Sequence, residues 1–267
     1  MIITFYTANG AASQPRFWPQ YWKTVSLGFN PDHQPEYGVL MKHLSPGQSV
    51  LDIGCGRGVL VRELLPKGYK ARGIDFDADS ILDSVAQAGY FPAEIGDLNQ
   101  LPYVDNSFDA ILVAGTIEHV FEGPQRGFSE VYRVLRPGGV VVLTIPYINL
   151  VRKVLLPFYL ARDVVFSYFP ERKRKLFFEY VFTRSEVVAL LSRAGFSVCE
   201  WERSYYTTTL RKIPGVIGLS ELIFGKSRNG AAARRSSATK RALKRTIEGI
   251  LNMIIPNRLV VVTRKPA

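Results

Sequence analysis

The ten residues SVLDIGCGRG, positions 49–58, decide the fold: an almost unbroken apolar run enters three glycines and leaves as a helix. A near-continuous apolar strand is what a sheet covered on both faces requires. Gly54, Gly56 and Gly58 then let the backbone turn sharply and approach a ligand with no Cβ in the way. The helix GVLVRELLPKG (58–68) closes at Gly68. Outward from there the chain alternates strands and helices, the pattern of a parallel sheet with crossover helices. Strand ARGIDF (71–76) is followed by helix ADSILDSVAQAG (78–89) and strands YFPAEIGDL (90–98) and FDAILVAG (108–115). A helix over Gln125–Leu135 stops at the turn Arg136-Pro137-Gly138-Gly139, and VVVLTIP (140–146) is the fifth strand. Helix TRSEVVALLSRAGF (183–196) opens with a capping box, Thr183 to Glu186, and ends at Gly195. FSVCEWERSYY (196–206) and LVVVTRK (259–265) supply two more strands.

One α/β domain over residues 1–267 is expected, with three segments outside the alternation. Residues 1–45 form an aromatic-rich N-terminal cap containing Phe17, Trp18, Tyr21 and Trp22. Residues 147–182 form a lid insertion, and 207–256 a basic amphipathic insertion between two strands that would otherwise make a hairpin. Net charge is +11, but residues 1–150 carry 11 Lys/Arg against 15 Asp/Glu, a balance of −4. Residues 151–267 carry 23 against 8, or +15, so the C-terminal half is built to meet something acidic. Two distant cysteines, Cys55 and Cys199, argue against a disulfide framework or a zinc site and fit a reducing compartment. No secretory signal is visible, and no run approaches the ~20 apolar residues of a membrane span. The expected location is the cytoplasm, peripheral at the inner membrane face.

The glycine loop carries the first chemical signal. A dinucleotide fingerprint, G-x-G-x-x-G, would need glycine at Val59, and the acid Asp52 is unwelcoming to a pyrophosphate. G-x-G-x-G after an acid suits a cationic sulfonium and an amino-acid ammonium instead. Asp75 ends the second strand, where a carboxylate can accept hydrogen bonds from ribose hydroxyls. Asp97 and Leu98 end the third, offering an acceptor to an adenine amino group. All lie at carboxyl ends of adjacent parallel strands, where open α/β sheets bind ligands.

VLDIGCGRG (50–58), GIDFD (73–77), GDLNQLPYVDNSFDAILVAGTIEHV (96–120) and RVLRPGGVVVLTIPY (133–147) resemble the successive motifs of class I S-adenosylmethionine-dependent methyltransferases. They are most similar to the branch holding quinone-pathway and many small-molecule enzymes. The resemblance implies a Rossmann-like, seven-stranded, mostly parallel sheet with an antiparallel last strand. It implies S-adenosylmethionine as cofactor, with Gly54, Cys55, Gly56 and Gly58 in the loop at its methionine portion beside Asp52. Asp75 would meet the ribose, Asp97 and Leu98 the adenine, Phe76 would pack on the adenine face, and Gly115 would border the cofactor.

Glu118-His119, just past the fourth strand, is the candidate catalytic pair. Methyl transfer from a sulfonium needs alignment above all. A hydroxyl acceptor needs a base as well, and histidine titrates near neutrality. Capping of the local turn is the competing role for both residues. Some similar quinone-pathway O-methyltransferases carry a further Glu three residues before this pair, forming a metal site; here that position is Gly115, so no metal is expected. The (Asp/Asn)-Pro-Pro-aromatic motif of base amino-methyltransferases is missing, and neither cysteine is placed as a C5 nucleophile. Oxygen, or carbon activated by a neighbouring hydroxyl, is the expected acceptor.

Segments 147–170, 210–225 and 240–254 combine apolar faces with basic residues. In the last, Leu243, Ile247, Ile250, Leu251 and Ile254 share a helical face while Lys240, Arg241, Lys244 and Arg245 gather at its start. A hydrophobic or lipid-linked small-molecule acceptor and an anionic membrane surface are therefore expected, with nucleic acid the weaker partner. An RNA methyltransferase and a cofactor-binding regulatory or assembly protein without turnover are the alternatives.

Overall fold

The computed structural model describes residues 3–7, 17–31, 34–148, 157, 176–204 and 258–267. Strands β1 (Ile3–Thr7), β2 (Ser49–Ile53), β3 (Lys70–Asp75), β4 (Ala93–Ile95), β5 (Phe108–Ala114), β6 (Leu135–Pro146), β7 (Leu176–Val181), β8 (Ser197–Ser204) and β9 (Arg258–Arg264) are joined by helices among the described residues. These are α1 (Phe17–Trp22), α2 (Pro35–Met41), α3 (Val59–Leu64), α4 (Ala78–Ala88), α5 (Gln125–Val134) and α6 (Arg184–Arg193).

Seven strands form one sheet in the order β4-β3-β2-β5-β6-β9-β8. Pairings from β4 to β6 are parallel, and β9 runs antiparallel to both of its neighbours. The sequence-derived expectation of a mostly parallel seven-stranded sheet with an antiparallel last strand is met. Alternation along the strands sends side chains to two cores. Leu51, Ile53, Ile111, Val113, Val141, Leu143, Leu259 and Val261 pack with Phe128 and Val131 of α5 and Leu190 and Leu191 of α6. Val50, Ala110, Leu112, Val140, Val142, Val260 and Val262 pack with Leu40 of α2, Leu60 and Leu64 of α3, and Ile81 of α4. A sheet covered on both faces buries its middle strands, which leaves the strand ends as the place for a site.

Three details depart from the sequence expectation. The third strand shrinks to Ala93–Ile95, between Pro92 and Gly96. The turn expected at Arg136–Gly139 lies inside β6: Leu135 pairs with Phe108, and the register shifts before Ala110 meets Val140. Gly138 takes φ 74° there and donates to the Lys265 carbonyl at 2.9 Å, so the turn is absorbed as an irregularity of the strand. A second sheet was not anticipated: β1 pairs antiparallel with β7, joining the N-terminal cap to the end of the lid insertion. Lid residues 149–156 and 158–175 and the whole basic insertion 207–256, with its expected loop 229–241 and helix 240–254, lie outside the described residues. Among the described residues, no helix is long and apolar enough to cross a membrane.

Candidate functional site

The glycine loop turns directly off β2: the Gly54 and Cys55 amides both donate to the Ile74 carbonyl, at 2.8 and 3.1 Å. Gly56 and Gly58 have φ of 50° and 67°, the left-handed region, and Gly58 caps α3. The glycines answer a second need that the sequence did not show. A Cβ at Gly54 would lie 2.0 Å from Thr116 Oγ1, at Gly56 2.4 Å from Trp22 Cζ2, and at Gly58 2.0 Å from Phe91 Cε2. The protein's own side chains therefore fill the space next to each glycine, so ligand approach is not the whole reason for them. Cys55 is buried, and a Cβ at Gly73 of β3 would meet its Sγ at 2.6 Å. Its side chain faces the sheet, and burial pushes the thiol well above its usual range, with Asp52 and Asp75 adding to the rise.

Behind the loop three carboxylates are buried: Asp52 on β2, Asp75 at the end of β3, and Glu36 on α2. Asp75 accepts from the Gly56 amide at 2.7 Å and the Asp77 amide at 2.9 Å. Burial raises its pKa, and those amides oppose the rise. Asp52 is pushed up to about 8 by burial first, then by the neighbouring charges of Asp75 and Glu36. Such a cluster welcomes a cation and repels a phosphate. Phe76 is 59 % exposed, so it is not a core aromatic. Asp97 is exposed and accepts from the Asn99 amide at 2.9 Å, whereas the Leu98 side chain is buried in the core.

Beyond β5, Gly115 takes φ 67° and its amide donates to Thr144 Oγ1 at 3.0 Å. The chain then makes a 3-10 turn over Ile117–His119. Glu118 is fully buried and its Oε1 accepts from Arg258 Nη1 at 2.9 Å; its Oε2 has no hydrogen-bond partner in the structure. Arg258 Nη2 also lies 4.0 Å from Glu179 Oε2 on β7. His119 Nε2 is 3.9 Å from Glu118 Oε1, too far for a hydrogen bond, and its ring meets Trp18 edge to face at a centroid distance of 5.0 Å. Glu118, His119 and Glu179 place ligand atoms within 4.8 Å of one another, a set able to hold a cation. The Arg258 guanidinium already stands there, and a Cβ at Gly115 would lie 3.3 Å from its Nη1.

The N-terminal cap reaches both halves of this edge. Arg57 of the glycine loop donates to the carbonyls of Val25 at 2.7 Å and Trp22 at 3.4 Å, and to Gln87 Oε1 of α4 at 2.6 Å. Asp83 of α4 lies 3.4 Å from the same guanidinium. A cleft of about 200 Å³ between α1 and α4 is lined by Trp22, Lys23, Asp79 and Asp83 among others.

Comparison with known proteins gives this arrangement its family: residues 51–143 match the methyltransferase domain family. They are a class I S-adenosylmethionine-dependent methyltransferase domain. The match runs from β2 into β6 and so includes the glycine loop, Asp75, Asp97, Glu118 and His119. A probable S-adenosylmethionine-dependent methyltransferase of Mycolicibacterium smegmatis is 29 % identical over 158 residues, covering 59 % of this chain and 55 % of that protein. A ubiquinone/menaquinone biosynthesis C-methyltransferase of Geotalea daltonii is 32 % identical over 108 residues, 37 % of this chain and 46 % of its own. The chain spans between 20 % and 55 % of the length of the first curated relatives it matches. In fold, a methyltransferase of Methanosarcina mazei superposes with a TM-score of 0.59 at 21 % identity, over 86 % of this chain and 98 % of that one. Arg258, Glu179, Glu36 and Trp18 lie outside the matched methyltransferase domain, and none was singled out for the site from the sequence. A buried Glu118 demanding a cation was the one signal that could have led to Arg258.

Proposed function

We propose that the protein transfers a methyl group from S-adenosylmethionine to an oxygen of a hydrophobic or lipid-linked small molecule, such as an envelope glycan precursor, a polyprenyl intermediate or a quinone. The carrying observation is the trio of buried carboxylates, Asp52, Asp75 and Glu36, behind a glycine loop. S-adenosylmethionine, when bound, supplies the activated methyl group. Its cationic end fits the acidic loop, and a dinucleotide pyrophosphate does not. Asp75 would hold the ribose, Asp97 and the Leu98 backbone the adenine, and exposed Phe76 would cover the adenine face. His119 takes the acceptor hydroxyl proton on its imidazole as the oxygen becomes nucleophilic. Glu118, with its Oε1 3.9 Å from Nε2, stabilises the imidazolium that results. Glu118 is then a positioning and counter-charge group. The C-methyltransferase relative supports a second acceptor, a ring carbon beside a hydroxyl, which would use the same base.

The acidic partner of the positive C-terminal half is, in this proposal, an anionic membrane surface. Calorimetry with S-adenosylmethionine and with NAD tests the cofactor assignment. S-adenosylmethionine should bind, and Asp75→Ala should weaken it by about 1–3 kcal/mol through lost charge-assisted hydrogen bonds. Tight NAD binding without an S-adenosylmethionine signal would overturn the proposal.

A further inference from the structure

Trp18 and Trp22 stand four residues apart on α1, so they share one face of that helix. Their rings lie 6.5 Å apart, tilted by 30°. The Trp22 indole fills the space beside Gly56 of the cofactor loop, and the Trp18 ring packs edge-on against His119. One short helix therefore touches the two components that methyl transfer must bring together. Six residues form too short a helix to be stable by themselves, so α1 depends on what it is fastened to.

The fastener is Arg57. Its side chain is 5 % exposed, and from the glycine loop it reaches partners in two places: the α1 exit at Trp22 and Val25, and α4 at Gln87 and Asp83. Its buried Nε–H has no hydrogen-bond partner among the described residues, so the attachment is incompletely satisfied there. A buried donor without an acceptor is a standing cost of closure. A ligand seated on the glycine loop bears on Arg57, and through it on the helix that packs against His119.

We propose that α1 couples occupancy of the glycine loop to the placement of His119, with Arg57, Trp22 and Trp18 as positioning residues. This rests on the assignment of the glycine loop to S-adenosylmethionine made above. The acceptor edge is covered and oriented through the loop beneath Trp22. Trp22 transmits through its contact with Gly56, Arg57 through the Trp22 and Val25 carbonyls, and Trp18 through its ring contact with the imidazole.

The test follows modification of His119 by diethyl pyrocarbonate, located by peptide mass, with His43 as internal reference because it packs elsewhere, against Glu200 and Arg264. In the wild type, saturating S-adenosylhomocysteine should slow His119 modification by about fivefold or more, the lower end of coupling between linked sites. Trp18→Leu should still bind S-adenosylhomocysteine by calorimetry while the slowing falls below about twofold, and Trp18→Phe should retain it. Arg57→Met should lose the slowing too; if it fails to fold, the two Trp18 variants decide alone. Equal slowing in Trp18→Leu and wild type would mean direct shielding by the ligand and would overturn the coupling. So would binding without any slowing in the wild type. Failure of the wild type to bind S-adenosylhomocysteine would instead bring down the cofactor assignment, and the coupling with it.

Discussion

Replacing Arg258 by Met removes the cation nearest a carboxylate that water cannot reach. Glu118 is fully buried, one of its oxygens rests on Arg258 Nη1 at 2.9 Å, and the other has no hydrogen-bond partner. Breaking a buried pair from one side typically costs about 3–5 kcal/mol, because the remaining charge is stranded. Arg258 is 23 % exposed and its link to Glu179 is long at 4.0 Å, so water already shares the guanidinium. The loss should therefore fall near about 2–4 kcal/mol, a large part of the usual total of 5–15 kcal/mol. For a chain of this size that lowers the melting temperature by about 5–12 °C. Glu118→Gln removes the stranded charge, so Arg258→Met on that background should cost about 1 kcal/mol or less. Urea unfolding of the wild type, both single variants and the double variant gives the coupling directly. If Arg258→Met costs the same on both backgrounds, the ion pair does not stabilise this edge and the reasoning fails.

Asp52 supplies a pH signature. Its folded pKa of about 8 lies above the ordinary 3.8, so between those values the folded chain keeps a proton that the unfolded chain has released. Stability from this group therefore falls as pH rises through about 4 to 8 and is level above. Asp52→Asn cannot ionise and should gain on the wild type across that window in urea titrations; a pH-independent difference would count against it. His119→Ala should leave cofactor affinity nearly unchanged by calorimetry and lower turnover on a hydroxyl acceptor by about 10²–10⁴. Unchanged turnover would leave His119 a structural residue. In flotation assays, the protein should bind vesicles containing anionic lipid and neutral vesicles poorly. Lys240, Arg241, Lys244 and Arg245 changed together to Gln should release it, each cation being worth about 1 kcal/mol at such a surface. Salt-sensitive RNA binding with no flotation would favour the RNA methyltransferase alternative.

The central sheet was legible because its signals are local. β2 and β5 are short, largely apolar runs followed by glycine, β3 ends on an acid, β6 carries the apolar run VVVLTIP, and the Thr183–Glu186 capping box formed as its spacing predicts. The glycine loop and Asp75 were legible for the same reason. The β1–β7 sheet was not, because it joins residues about 170 positions apart and neither strand advertises a partner. Glu118 was read with His119, its chain neighbour, whereas its strongest partner is Arg258, 140 residues on. Arg57 stands between two glycines, and its spacing points to no partner. Only the fold brings its guanidinium to the carbonyls of Trp22 and Val25. Burial by distant chain segments is what periodicity and spacing do not encode.

The position of β9 has a consequence for how the chain is made. It follows β8 in synthesis, yet it lies between β6 and β8 in the sheet. While a ribosome adds residues 205–257, at roughly 5–20 residues per second, the nascent sheet lacks the strand that joins β6 to β8. Those two, the apolar β6 and the mixed strand β8, are open edges of the kind that recruit stray strands. Arg258 arrives on the strand that joins them, so Glu118 meets its counter-ion only at that moment. A chain stalled or truncated before Arg258 therefore combines two exposed edges with an unpaired acid, and should be a client for chaperones or proteases rather than a partly active domain.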